Sequence, residues 1–146
     1  MRLDKTRLSR YLLEITKNTS ELRQLAEQGR LHPSSLELKA AKYLLIELAE
    51  AVSNTIQHIL ARDRGIVVTG YIDAIIKARD AEIISPDLSD RLRPFFDFRN
   101  SLVHRYWIID DSRLIENITR GHGDFLQFVT EIETYLAKMV TVHRYP

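Results

Sequence analysis

Residues 94–107 carry an arginine, an asparagine and a histidine at a spacing that suits contact with a phosphate group. Arg99 and Asn100 are adjacent, and His104 follows Asn100 by four residues. Side chains four residues apart are neighbours on a helix, so Asn100 is placed to orient the ring of His104. The guanidinium of Arg99 offers a planar fork of donors that matches phosphate oxygens. These three residues are therefore the first candidates for a functional site.

The helix that would carry them has a wide apolar face with an arginine inside it. On a helical wheel, that face consists of Phe95, Phe96, Phe98, Leu102, Val103 and Trp107. Arg99 and Tyr106 fall within this apolar arc, whereas Asp97 falls opposite to it. An unpaired guanidinium in apolar surroundings is costly, so Arg99 requires a carboxylate, a phosphate or a hydrated interface. Glu50, on an upstream helix, is one carboxylate that can meet it.

Arg99 and His104 are about 140° apart around an ideal helix, so one helix does not easily bring them together. Two such helices meeting across a dimer axis would place two arginines and two histidines in one cleft. The apolar arc favours a dimer, because it offers more apolar surface than one side of a small bundle needs. The alternative is structural, with Arg99 paired to a buried acid and His104 in a hydrogen bond that only supports the fold.

Composition indicates one soluble globular domain and excludes several kinds of chemistry. The chain has 146 residues, of which 45% are apolar and 28% charged, and its net charge is +1. That charge neither requires nor excludes a nucleic-acid partner. Because cysteine is absent, disulfides, thiolate zinc sites and a cysteine nucleophile are excluded. Without an apolar run of about 20 residues or a signal peptide, we expect a cytoplasmic protein with no membrane partner.

The apolar periodicity predicts five helical segments in a single domain of residues 1–146. Asp4 or Thr6 can cap the first segment, and residues 66–69 are expected to form a connector. We expect Pro94 to bend or restart the fourth segment and residues 121–123 to loosen the last. Short loops favour an all-α, antiparallel bundle of four to five helices. The segments are Leu3–Gln28, Leu36–Arg62, Tyr71–Ile83, Pro86–Trp107 and a last one from about Ser112 to Val140.

The sequence from Arg99 to Tyr106 resembles the Arg-x4-His-x-Tyr signature of HEPN-domain toxins of the HepT type. The flanking residues 87–92 and 98–104 are also similar to the central block of that family, as is Ile109-Asp110. Upstream, Glu50, residues 58–60 and residues 70–72 extend the resemblance, which covers about residues 36 to 136. Arg-x4-His alone is a weak signal, but within this flank it is a strong one.

The resemblance implies a HEPN-like up-and-down bundle that acts as a homodimeric, metal-independent endoribonuclease without a cofactor. By family analogy, His104 is the general acid or base at the ribose 2′-hydroxyl and the leaving oxygen. Arg99 holds the scissile phosphate, and Asn100 orients His104 or touches the phosphate. The substrate class implied is RNA, either tRNA or mRNA. The protein would be the toxin of a type VII HEPN/MNT toxin–antitoxin system.

The resemblance also implies a regulatory role for Tyr106. In HepT-type systems, an MNT-type nucleotidyltransferase antitoxin transfers AMP to this tyrosine. Added phosphates beside Arg99 would pair with the arginine and block entry of RNA. The alternative is that Tyr106 is only an aromatic residue of an interface.

Two other functions remain open from the sequence. The chain can be a non-catalytic HEPN module that binds a nucleotide or scaffolds a nucleotidyltransferase, or it can be a helical adaptor with a structural Arg99. For His58, we expect a structural hydrogen bond rather than a place in the cleft. For three arginines of a helix that also carries interleaved aspartates, we expect a mixed surface rather than a path for RNA: Arg91, Arg93 and Arg105.

Overall fold

Six α-helices and one π-helical turn make up the part of the chain that the structure describes. The structure is a computed structural model, which describes the backbone of residues 2–104 and 110–144 and the side chains of residues 2–101 and 110–139. The elements in chain order are α1 (Lys5–Glu27), α2 (Leu36–Ile59), the π-helical turn (Leu60–Arg64), α3 (Tyr71–Asp80), α4 (Pro86–His104), α5 (Asp111–Gly121) and α6 (Asp124–Arg144). The all-α prediction is confirmed.

Helices α1 and α2 form an antiparallel pair whose starts are capped by side chains. The Asp4 carboxylate accepts a hydrogen bond from the backbone N–H of Arg7, and Ser35 Oγ accepts one from Leu38. These bonds satisfy donors that a helix start leaves unpaired, so they fix where each helix begins. The α1 side chains buried against the rest of the chain include Leu8, Ile15 and Leu22, which recur every seven residues.

Helix α2 ends in a π-helical turn, which Gly65 closes. Gly65 has a φ of 65°, a left-handed conformation that glycine adopts without strain from a side chain. The chain then runs without regular structure through the predicted connector at residues 66–69. Lys77 Nζ donates to the backbone oxygen of Val67 at 2.8 Å, so the connector is held against α3.

Helix α4 runs without interruption through Pro94, so of the two expected outcomes, a bend or a restart, the restart does not occur. Proline removes the N–H that would bond to the carbonyl of Asp90, one turn earlier. Both Pro94 and Asp90 are exposed, so water can take the place of the missing donor. On the opposite side, α4 buries Leu88, Leu92 and Phe96 in the core.

The last predicted segment is two helices, α5 and α6, so the described chain has six α-helices rather than four to five. The break follows Gly121, where a Cβ atom would lie only 3.0 Å from Cζ of Phe95. The Phe95 and Phe125 rings pack at 5.0 Å between centroids beside this turn. A glycine therefore lets the turn approach the aromatic core closely, and the chain reverses into α6.

The aromatic residues at the middle of α4 are core residues of the single chain. Phe95 is 2% exposed and Phe96 is 0% exposed, whereas Phe98 is only partly buried. Phe95 and Phe96 therefore do not contribute to the exposed apolar surface that was expected to favour a dimer. In the described residues, no helix is both long enough and apolar enough to cross a membrane.

Candidate functional site

Arg99 lies in the second half of α4 and rests on the ring of Tyr71, the first residue of α3. The guanidinium carbon Cζ is 3.9 Å from the centroid of the Tyr71 ring. Phe96, one turn earlier on the same side of α4, contacts the same ring at 6.1 Å between centroids. The arginine that the helical wheel placed in the apolar arc is therefore accommodated by an aromatic ring. Such a cation–π contact is favourable for a guanidinium that is partly removed from water.

The polar contacts of Arg99 leave much of its hydrogen-bonding capacity unused. Nη1 donates a long hydrogen bond of 3.4 Å to Oδ1 of Asn100, and Nη2 lies 3.9 Å from Oε1 of Glu50. Nε is buried and has no acceptor among the described residues. A guanidinium has five N–H donors. Within the described part of the chain, the Nη atoms of Arg99 therefore have only these two long contacts, so they can still donate to a ligand.

Glu50 does reach Arg99, which the sequence left as one possibility, but the two do not form a buried acid pair. The Glu50 side chain is 49% exposed, against 17% for the side chain of Arg99. A separation of 3.9 Å is also beyond hydrogen-bond range. An exposed, long ion pair contributes little to stability. The alternative in which Arg99 only supports the fold requires a buried acid as its partner. Glu50 is half-exposed, so it is not that partner.

The start of α3 is held in place, and with it the Tyr71 ring. Gly70 precedes Tyr71 with a φ of 145°, which L side chains rarely adopt. The Asp73 carboxylate accepts from the backbone N–H of Thr69 at 2.9 Å and from its hydroxyl at 3.1 Å. Chiefly because of the backbone bond, the pKa of Asp73 lies below its usual value. Lys77 pairs with the same carboxylate at 2.9 Å, so several contacts fix this helix start.

The other predicted site residues are described to different extents. Asn100 is partly buried and its side-chain oxygen faces Arg99. The backbone of α4 continues as a helix to His104, one turn beyond Asn100. The side chain of His104 and all of Tyr106 lie outside the described residues, so their predicted roles stay predictions. The structure thus brings together Arg99, Asn100 and Glu50, and it adds Tyr71.

Sequence reasoning found Tyr71 only as part of the resemblance and did not assign it a contact. Tyr71 and Arg99 are 28 residues apart and lie on different helices. Local periodicity reports which face of one helix is apolar, but it does not report which ring of another helix covers that face. The adjacent Gly70 signals an unusual backbone, and it was the only local indication of a specialised position.

Comparison with known proteins assigns the fold to a family. The family model described as "Ribonuclease HepT-like" matches residues 10–132, most of the chain. The chain belongs to the ribonuclease HepT-like family. The resemblance inferred from Arg99 to Tyr106 is therefore confirmed at the level of the family.

Relatives of this HepT-like chain match between 70% and 91% of it. A protein from Archaeoglobus fulgidus is 25% identical over 133 residues, which are 91% of this chain and 98% of the relative. The tRNA nuclease HepT of Aphanizomenon flos-aquae is 27% identical over 104 residues, 70% of this chain and 71% of the relative. The Shewanella oneidensis HEPN toxin, solved tri-AMPylated in complex with an MNT antitoxin, has a similar fold. Its TM-score is 0.80 at 19% identity, over 88% of this chain and 97% of that one.

His58 of the HepT-like chain has the structural role predicted for it. Its Nε2 accepts a 2.9 Å hydrogen bond from the backbone N–H of Asp4, and the residue is 8% exposed. Burial, followed by the nearby charges of Arg62 and Arg7, lowers the pKa of His58. The neutral ring therefore ties the start of α1 to the end of α2, and we do not count His58 as a site residue.

Arg91 connects α4 to α6 and is not free to line a path for RNA. Its guanidinium donates to Asp124 at 3.1 Å and to Gln127 at 2.6 Å, and it also pairs with Asp87. Arg93 is half-exposed and lies 3.9 Å from Asp97. The predicted mixed surface is therefore confirmed for these two arginines, whereas Arg105 lies outside the described residues. Within the described ranges, no three acidic or histidine side chains are grouped to hold a metal ion.

Proposed function

We propose that this HepT-like chain is an endoribonuclease toxin that cleaves RNA, either tRNA or mRNA, without a metal ion. The observation that carries the proposal is the state of Arg99, whose guanidinium rests on Tyr71 and whose Nη atoms make only long polar contacts among the described residues. A fixed, partly desolvated guanidinium is suited to a phosphodiester oxygen, because a charge-assisted, forked contact requires no other rearrangement. The relative named tRNA nuclease HepT supports RNA as the substrate class.

In the proposed reaction, the ribose 2′-hydroxyl attacks the adjacent phosphorus and the 5′-oxygen of the next nucleotide leaves. The imidazole of His104 takes the proton from the 2′-hydroxyl or gives one to the leaving oxygen. Arg99 stabilises the charge that develops on the phosphate oxygens. Asn100 orients His104 or contacts the phosphate. The products are a 2′,3′-cyclic phosphate and a free 5′-hydroxyl.

The proposed active form is a homodimer in which two α4 helices face each other. On an ideal helix, Arg99 and His104 point about 140° apart, so the two side chains of a single α4 do not easily reach the same phosphate. Across a two-fold axis, Arg99 of one copy and His104 of the other can act on the same phosphate. Since Phe95 and Phe96 are buried within the chain, the contact would have to involve the later part of α4.

The proposed control is AMPylation of Tyr106 by a cognate MNT-type nucleotidyltransferase. Tyr106 follows Arg99 by seven residues, which is two helical turns if α4 continues. Phosphates attached there would offer Arg99 an internal anion and would repel RNA. The tri-AMPylated state of the Shewanella oneidensis toxin supports this part of the proposal.

Regulated expression in a bacterial host tests the proposal, with the wild type compared with His104→Ala and Arg99→Ala. We expect growth arrest and new RNA ends only with the wild type. The purified wild type should cleave RNA in the presence of EDTA and leave cyclic phosphate ends. If folded, unmodified wild-type protein leaves RNA intact but binds nucleotide, the chain is a non-catalytic binding module instead. Intact mass distinguishes this result from a toxin that is already AMPylated.

A further inference from the structure

The Tyr71 ring contacts two residues of α4, of which one is fully buried and the other partly buried. Phe96 is fully buried and packs against the ring at an interplanar angle of 47°. Arg99, three residues later, places its guanidinium carbon 3.9 Å from the ring centroid. Residues three apart on a helix share one side, so the ring covers one turn of α4. The same ring therefore contacts the core and the candidate phosphate-binding residue.

The ring is attached to a helix start that has little freedom to move. Gly70 adopts a backbone conformation that L side chains rarely adopt, and Asp73 closes the turn with two hydrogen bonds from Thr69. Lys77 joins the Asp73 carboxylate to the backbone oxygen of Val67. These contacts define the position of the first residue of α3. Tyr71 is therefore a fixed surface against which a flexible arginine side chain can rest.

The ring constrains Arg99 without occupying its donors. A carboxylate partner would hold the guanidinium by accepting N–H bonds, and it would then compete with a phosphate. An aromatic face attracts the cation through the ring quadrupole and leaves the N–H groups at the edge of the guanidinium unoccupied. Glu50 stands at 3.9 Å, too far to take up those donors by hydrogen bonding.

We propose that Tyr71 is a positioning residue, whose ring holds the Arg99 guanidinium so that its donors face an incoming phosphodiester. The inference rests on the proposed function of Arg99 as the phosphate-binding residue. It assigns Tyr71 no contact with RNA and no proton transfer. Its hydroxyl is not required, so a phenylalanine at this position should serve equally well.

The first experiment compares Tyr71→Phe and Tyr71→Leu in the purified full-length protein, with kcat and KM measured on an RNA oligonucleotide. We expect Tyr71→Phe to stay within about twofold of the wild type, because the ring face is retained. We expect Tyr71→Leu to lose about 10- to 100-fold in kcat, because the misplaced guanidinium no longer meets the transition state. Ile75→Val, a change at a buried residue of the same helix, controls for loosening of α3 and should leave kcat unchanged.

A second experiment replaces Tyr71 with phenylalanines that carry one, two or three ring fluorines. Fluorine withdraws electron density from the ring face with little change in size, so the attraction for a cation weakens stepwise while the fold is kept. We expect kcat to fall stepwise with fluorination. The same series at Tyr43, an exposed tyrosine, should have no effect. A flat response at Tyr71 would overturn the proposal, as would a Tyr71→Leu protein that is folded and fully active.

Binding of a 2′-O-methyl oligonucleotide, which cannot be cleaved, separates failure of this inference from failure of the proposed function. If the wild type does not cleave RNA but fluorination at Tyr71 weakens binding stepwise, the nuclease proposal is wrong and the role of Tyr71 stands. If the wild type cleaves RNA while neither kcat nor binding responds to Tyr71, the nuclease proposal stands and this inference is wrong.

Discussion

Nη2 of Arg99 and Oε1 of Glu50 face each other across 3.9 Å, with the arginine mostly buried and the glutamate half-exposed. The carboxylate is close enough to attract the guanidinium but too far to form a hydrogen bond with it. Glu50 is also the negative charge nearest to the donors that we assign to a phosphate. If Arg99 binds RNA as we propose, Glu50 acts in two opposite ways, as a weak partner for the arginine and as a repulsive charge for the phosphate.

Glu50→Gln should bind a non-cleavable RNA oligonucleotide several-fold more tightly than the wild type, because a like charge is removed beside the phosphate. Its free energy of unfolding should change by less than about 0.5 kcal/mol, since exposed ion pairs contribute little. Fluorescence anisotropy and urea denaturation measure the two quantities. Glu116→Gln, which removes another exposed ion-pair partner on α5, is the matched control. Weaker binding by Glu50→Gln would show that Glu50 supports phosphate binding instead.

His58 should make the protein less stable as the pH falls below neutral. Burial, then Arg62 and Arg7, lower its pKa in the folded state, while the unfolded chain has the ordinary value of about 6.5. The unfolded chain then binds more protons, so the free energy of unfolding decreases as the pH falls through 6.5, by at most about 1.4 kcal/mol per pH unit. Urea denaturation from pH 7.5 to 5.5 measures this slope. His58→Gln should reduce the slope, and His32→Gln, at an exposed position, should leave it unchanged.

Arg91→Ala should destabilise the fold by about 1 to 2 kcal/mol and leave RNA binding unchanged. The substitution removes the hydrogen bonds to Asp124 and Gln127 that join α4 to α6. Arg93→Ala should change the free energy of unfolding by less than about 0.5 kcal/mol, because the described contact that it removes is a 3.9 Å ion pair with Asp97. Thermal denaturation and anisotropy test both variants. A loss of RNA affinity in folded Arg91→Ala would place Arg91 on the RNA path after all.

Gly121→Ala should destabilise the protein by about 1 to 3 kcal/mol, because the new Cβ atom would press on the Phe95 ring. That ring cannot easily retreat, since it is 2% exposed and packs against Phe125. Gly123→Ala is the matched control, because a Cβ atom there meets nothing within 4 Å. Chemical denaturation of the pair measures the difference. Equal stability of the two alanine variants would mean that the α5–α6 turn can shift away from Phe95.

The fold was largely predictable because its signals are local. The apolar stripe of α1, the Asp4 cap and the arginine inside the apolar face of α4 can all be read within one helix. Periodicity also does not show that α4 can pass through Pro94 without a restart, which we attribute to the exposure of Pro94 and Asp90 to water. The apolar excess of α4 was overestimated because α5 and α6 supply a surface that buries Phe95.

The candidate site was predictable only in part. Arg99 and Asn100 could be selected from residue type and spacing, and Glu50 from its charge on an upstream helix. The Tyr71 contact depends on how α3 crosses α4, which the 28 residues between Tyr71 and Arg99 do not encode in any local pattern. The motif thus selects the candidate binding residue, whereas only the packing of the structure shows which distant ring that residue contacts.

The hydrogen bond between the start of α1 and His58 determines which amino acids position 4 can accept during evolution. Its donor is the backbone N–H of residue 4, not the aspartate side chain. Nineteen of the twenty amino acids supply that N–H, and only proline lacks it. Position 4 can therefore exchange its side chain at the cost of a helix cap alone, while proline there would release both the cap and the histidine at once.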